Sequence, residues 1–326
     1  MEKQRTKRKL PPIIRWILWV LLIQFVLINI SAAFYAYKLT HFYTDPSLRI
    51  YKSPPNLFAK TWKLFTGPKQ PRSIVTEIPA FSFDTITLRT TNGISIDTWY
   101  CKADSVPKGT VILFHGIGGN KSMYLDEAYE FRYFGYNVML VDFRGHGNSE
   151  GNTTNIGVKE TEEVKSAYDN VASKGEKNIF LWGSSMGAVV VAKAIGDYQL
   201  QPSGIILHAP FFSLQTYLEA RARRLGFPQQ PFAFLTTFWI GLERGFNGFK
   251  HQTDLYAKKI NCPVLIQWGT LDDFVSKAEI EKIYNAIASP QKKLAVYNLA
   301  QHESLLRKDP KKWRIETQQF LASYGR

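Results

Sequence analysis

The chain has 326 residues, 45% of them hydrophobic and 14% aromatic, enough for a substantial core, and this excludes wholesale disorder. Its formal charge is +14, but the basic residues are spread along the chain, and no nucleic-acid motif accompanies them, so nucleic acid is not an expected partner. Two cysteines, Cys101 and Cys262, with no C-x-x-C pair, leave no basis for a structural zinc site or a thioredoxin-like motif and read as buried free thiols.

The amino terminus is a basic tail, residues 1–12, in which Lys3, Arg5, Lys7, Arg8 and Lys9 stand against Glu2. Residues 13–37 are almost continuously apolar and aromatic, with Arg15, Gln24 and Asn29 as the exceptions. The stretch from Trp16 to Tyr37, 22 residues, is long enough to cross a bilayer as a helix. Trp16 and Trp19 at one end and Tyr35 and Tyr37 at the other resemble interfacial belts. A cleaved signal peptide is the rival reading, with Ser31-Ala32-Ala33 as its processing site. The length of the run favours an uncleaved signal-anchor. The expectation is a single-pass membrane protein, its amino terminus cytoplasmic and everything beyond Lys38 on the other side, with the bilayer as a partner.

Residues 38–78 carry repeated prolines and read as a connector with one amphipathic helix around Asn56–Phe65. Residues 79–326 then alternate strand and helix. Phe81–Thr91 and Ile94–Lys102 flank Asn92-Gly93, a hairpin pattern. Buried strands follow at Thr110–Phe114, Asn137–Val141, Ile179–Trp182, Gly204–His208, Pro263–Gln267 and Lys293–Tyr297. Helices are expected at about Ser122–Phe134, Val158–Ser173 and Lys277–Ala288, and one directly after Ser185. This order predicts an α/β fold with a mostly parallel, doubly wound sheet opened by an antiparallel hairpin. Residues 211–259 interrupt the alternation. Ten aromatics between Phe211 and Phe249, with Arg221, Arg223 and Arg224, suggest a helical lid over the carboxyl edge of the sheet.

The chemistry centres on Gly183-Ser184-Ser185-Met186-Gly187, a G-x-S-x-G turn between an apolar strand and a helix, which presents Ser185 as a nucleophile. A serine hydroxyl needs a base and an orienting third group. Of the six histidines, His302 follows the last predicted strand and can reach a serine at the same sheet edge, which makes it the candidate base. Asp272, after the Pro263–Trp268 strand, is the candidate acid, with Asp273 its neighbour. The backbone N–H of Met186 and that of Ile117, in the loop His115-Gly116-Ile117-Gly118-Gly119, are candidate oxyanion donors. That loop lacks both G-x-G-x-x-G spacing and a following G-K-[ST], so it is not a phosphate cradle.

Ser185, Asp272 and His302 appear in the chain order of the α/β-hydrolase superfamily. The wording resembles its Bem46-like branch of membrane-anchored serine hydrolases more closely still, in Leu113–Asn120, Val141–Gly151 and Gly269-x-x-Asp272-x-x-Val275. The resemblance covers roughly Ser82 to Phe320. It implies an α/β-hydrolase fold, a Ser185-His302-Asp272 triad, no cofactor and no metal, and structural rather than catalytic roles for Asp142 and Arg144. The implied activity is hydrolysis of a carboxylic ester or thioester of a small-molecule, lipid or acylated substrate. A peptidase of aminopeptidase type, for which Glu219 and Glu243 are too few acids to grip an amino terminus, and a non-catalytic scaffold are the alternatives.

Overall fold

The structure is a computed structural model that describes residues 10–49 and 56–325. The basic residues of the tail up to position 9, and Pro54 and Pro55 of the connector, lie outside the described residues. An eight-stranded sheet forms the centre. Its strands are β1 (Asp84–Arg89), β2 (Ser95–Cys101), β3 (Thr110–Phe114), β4 (Asn137–Val141), β5 (Ile179–Ser184), β6 (Gly204–His208), β7 (Val264–Gly269) and β8 (Lys292–Tyr297). Across the sheet the order is β8-β7-β6-β5-β3-β4-β2-β1. The pairs from β8 to β4 are parallel, whereas β2 runs antiparallel to both β4 and β1.

The middle strands are wholly apolar because both faces are covered. Alternate residues of β3 divide between two cores: Ile112 and Phe114 enter one, Val111 and Leu113 the other. On the second face lie α3 (Leu125–Tyr133) and α10 (Pro310–Tyr324), whose Phe131 and Trp313 pack edge to face at 5.5 Å. On the first face lie α4 (Thr161–Ala172), α5 (Met186–Tyr198) and α9 (Lys277–Ala286). The hairpin closes where Gly93 adopts φ +78° and donates its N–H to Thr90 O at 2.9 Å.

Between β6 and β7 the chain builds α6 (Leu214–Arg224), α7 (Phe232–Arg244) and the short α8 (Thr253–Ala257). A capping box at Ser213 and Thr216 starts α6.

At the amino terminus, α1 spans Pro12–Thr40, and among the described residues it is the one helix long and apolar enough to cross a membrane. Most of it is exposed, but its last turns bury Ala32, Tyr35, Ala36, Leu39 and Thr40. The helix thus runs on past the expected end of the span. The stretch that follows is fastened to the loop after β4. Phe42-Tyr43 pairs with Gln70-Pro71, and the N–H of Phe42 bonds Asn152 O at 2.7 Å. Between those two pieces α2 (Leu57–Thr66) is capped by Asn56, whose side chain accepts from the Ala59 N–H.

Candidate active site

Ser185 sits between the end of β5 and the first turn of α5 with φ 52° and ψ −114°, a backbone region that side-chain-bearing residues rarely occupy. Its neighbours make the turn sterically feasible. A Cβ on Gly187 would stand 2.2 Å from Phe114 O, and one on Gly183 would stand 2.5 Å from the Gly187 carbonyl carbon. Glycine is therefore required at both positions. The Ser185 N–H is tied to the end of β6 by a 2.8 Å bond to His208 O.

His302, in the loop after β8, brings Nε2 to 3.0 Å from Ser185 Oγ. Its Nδ1 lies 2.7 Å from Asp272 Oδ2. The Asp272 side chain is fully buried, and Oδ1 accepts the N–H groups of Phe274 and Val275 at 2.8 and 2.9 Å. Two amides on one oxygen and the imidazole on the other satisfy a buried carboxylate without a cation. Held this way, Nδ1 carries the proton, and the Nε2 lone pair faces the serine hydroxyl. The three residues proposed from sequence thus meet at the carboxyl edge of the parallel strands, while the neighbouring Asp273 turns outward to Arg224. Ile117 lines the cleft beside Ser185, and Met186 is the first residue of α5, where a backbone N–H has no intrahelical acceptor. A substrate carbonyl oxygen above Ser185 would lie between the strand-end loop and this helix terminus.

Two other histidines brace the site. His115 accepts the Phe143 N–H at Nε2 (3.0 Å) and donates from Nδ1 to Gly116 O (2.7 Å). His146 accepts the Gly118 N–H at 3.1 Å and donates to Arg144 O at 2.8 Å. Burial pushes the pKa of His115 down to about 4 and that of His146 down to about 3. Both rings are therefore neutral clamps on the Ile117 loop. Asp142 accepts from Lys121 N and Nζ at 2.7 and 2.6 Å and from Asn148 N at 2.9 Å. Arg144 pairs with Glu163 at 2.6 Å. The connector reaches the same loops: the Arg72 guanidinium donates to the carbonyls of Gly147, Ser149 and Gly151, and Ser73 Oγ donates to Gly119 O.

His208 is the residue that sequence reasoning passed over. It reads in the sequence only as the last residue of the Gly204–His208 strand, yet its backbone carbonyl holds Ser185. Its Nε2 donates to Glu303 O at 3.0 Å, beside His302. Its pKa falls to about 4, chiefly through burial and next through the nearby His302. Position at the end of β6, adjacent to the strand bearing the nucleophile, was the available signal.

Above Ser185 a cleft of about 360 Å3 is lined by Ile117, Met123, Tyr217, Phe274 and Arg221, the last two groups brought in by the acid loop and the lid. Phe274 packs on the His302 ring with centroids 5.0 Å apart.

The fold has close counterparts among solved structures. An esterase of Pyrococcus furiosus superposes with a TM-score of 0.66 at 22% identity, covering 78% of this chain and 97% of its own. Residues 105–242 match the Hydrolase_4 family, described as serine aminopeptidase, S33. The chain has the α/β-hydrolase fold. Among sequence relatives, this hydrolase is 26% identical over 233 residues to the protein YqkD of Bacillus subtilis, covering 70% of this chain and 76% of the relative. It is also 26% identical over 213 residues to lysophosphatidylserine lipase ABHD12 of Xenopus tropicalis. That match takes in 62% of this chain but 52% of the relative, so the hydrolase spans about half the length of that lipase.

Proposed function

We propose that this hydrolase cleaves carboxylic ester or thioester bonds of apolar acyl substrates at a membrane surface. Ser185 Oγ attacks the acyl carbonyl carbon while His302 Nε2 accepts its proton. Asp272 steadies the resulting imidazolium, and the N–H groups of Ile117 and Met186 receive the oxyanion. The leaving alcohol or thiol departs with the proton from His302, leaving an acyl group on Ser185. Water, deprotonated by the same imidazole, then releases the acid and restores the serine. The observation that carries this reading is the continuous relay of 3.0 Å from serine to histidine and 2.7 Å from histidine to aspartate. The lipase name of one relative and the esterase title of a structural neighbour support the ester class. The same resemblances, with the apolar α1, favour the Bem46-like membrane-anchored branch, with the amino terminus cytoplasmic and the hydrolase domain on the opposite side.

The family description as serine aminopeptidase favours a second reading, amide hydrolysis next to a free amino terminus. Such a substrate needs carboxylates facing its ammonium group. Glu219 is engaged by Gln215 and Gln230, and neither it nor Glu243 lines the cleft; Glu303 does, but its Oε1 accepts the Gln301 N–H, and Arg221 and Arg307 line the same cleft. A panel of p-nitrophenyl esters of two to sixteen carbons, thioesters and aminoacyl anilides separates the readings. Ester turnover that disappears in Ser185→Ala, with anilides untouched, supports the ester assignment. Turnover confined to anilides overturns it.

A further inference from the structure

Helix α1 passes from its apolar span into the hydrolase domain without a break, and the domain grips it within that span. Trp239 Nε1 of α7 donates to Asn29 Oδ1 at 3.4 Å. Ser31 Oγ donates to Phe65 O at 2.6 Å, and the Tyr35 hydroxyl donates to Leu64 O at 2.8 Å, both on α2. Because Asn29, Ser31 and Tyr35 belong to the stretch suited to the bilayer, α2 and α7 are held at the depth where that stretch meets the headgroups. Their outward residues suit the same surroundings: Leu57 and Phe58 are 78% exposed, Leu242 62%, Trp62 53% and Phe234 50%. Apolar surface of this extent, continuous with a membrane-spanning helix, marks a surface that meets lipid.

Between α1, α2 and the turn joining α6 to α7 lies a groove of about 610 Å3, walled by Leu27, Ile28, Phe65, Phe227 and Phe232. Its size falls within the range of roughly 300–1,000 Å3 common for small-ligand sites. The hydroxyls of Ser31 and Tyr35 at its edge are already spent on backbone carbonyls, so apart from Gln24 the walls offer apolar contact rather than hydrogen bonds. The lid links groove and active site in sequence: α6 contributes Tyr217 and Arg221 to the catalytic cleft, and the turn after it contributes Phe227 and Pro228 to the groove.

We propose that this groove binds an acyl chain of a bilayer lipid. The occupant follows from the wall: one side of the groove is the apolar span itself and the facing walls are aromatic and aliphatic, so with α1 in a bilayer the groove adjoins lipid, whose acyl chains match those walls. The proposal rests on the reading of α1 as a bilayer helix and is independent of the catalytic assignment.

The test uses the full-length protein in phosphatidylcholine vesicles containing a phosphatidylcholine with a diazirine near the end of one acyl chain. After photolysis, adducts are mapped by peptide mass spectrometry. Adducts are expected on peptides containing Phe65 and Phe227–Phe232 as well as along the lipid-facing side of α1. Ile28→Trp, which fills the groove from a half-exposed position, should lower the groove adducts at least fivefold and leave those near Trp16 and Trp19 unchanged. Leu27→Trp provides a second filling variant, and thermal unfolding of each variant reports whether it is folded. Labelling along α1 with none in the groove, or groove labelling indifferent to both folded variants, overturns the proposal while leaving the anchor in place. Absence of labelling on α1 and groove alike overturns the proposal together with the bilayer reading of α1.

Discussion

In the proposed mechanism Ser185, His302 and Asp272 have separable jobs, and single substitutions should separate them. Ser185→Ala or His302→Ala should lower kcat by about 10^5–10^6. Asp272→Asn should cost about 10^4, because an amide in its place no longer holds the imidazole tautomer. His208 is the quieter case. Its Nε2–H fastens Glu303 next to the catalytic histidine. We expect His208→Phe, which keeps a ring but loses the donor, to lower kcat about 10-fold to 100-fold, since small misplacements of a catalytic group have costs of that order. His208→Gln, which can still donate, should recover part of the loss. Steady-state kinetics on one soluble ester checks all five variants. Glu127 offers a pH signature. Buried beneath the histidine loop, it accepts from Ser304 Oγ at 2.7 Å, and burial lifts its pKa from 4.5 to about 6, with that hydroxyl opposing. A carboxyl raised on folding is most favourable when protonated. Its contribution is complete below pH 4.5 and is lost as pH rises through about 6. Glu127→Gln should therefore match the wild type at pH 4.5 and become more stable by about 2 kcal/mol above pH 7, as read by denaturant unfolding across that range. A constant difference at every pH would contradict the assignment.

At the scale of elements, what was legible followed burial. Strands covered on both faces read as short continuous apolar runs, so β3, β4 and β6 fall on the boundaries expected from sequence. The elbow was legible because its glycines are compulsory. Gly187→Ala should leave little folded, active protein, since its methyl group meets the Phe114 carbonyl. What was not legible depends on partners distant in sequence. Hydropathy cannot tell an apolar face turned to lipid from one turned to protein, so the docking of the last turns of α1 on the lid was hidden. Lys121, whose charge gives no hint of burial, is enclosed between Asp97 and Asp142 with its ammonium 4.6 Å over the Trp99 ring. Residues 70–74 read as linker, yet they pin the loops that carry Ile117 and Gly147. Arg72→Met should accordingly lower the melting temperature by several degrees and reduce kcat on esters, because charge-assisted bonds to buried carbonyls are worth about 1.5–3 kcal/mol each.

The whole molecule joins a long apolar helix to an α/β-hydrolase-fold domain through a packed interface rather than a free tether. Tyr35, Ala36 and Leu39 belong to the buried set, and their removal should cost on the order of 5 kcal/mol. Deletion of residues 1–28 should therefore preserve the thermal transition of the detergent-solubilised protein, and deletion of residues 1–40 should lower it by on the order of 10 °C. Equal transitions for the two truncations would mean that the helix end is not part of the fold. The parallel sheet then supplies the geometry on which the functional reading depends: three strand-end loops, separated by as many as 117 residues, deliver nucleophile, base and acid to one cleft. The most direct test is intact-mass spectrometry of the full-length protein after exposure to a fluorophosphonate. The account predicts one adduct per chain on Ser185, absent from Ser185→Ala and greatly slowed in His302→Ala. An unmodified wild type, or an adduct that persists in Ser185→Ala, would contradict it.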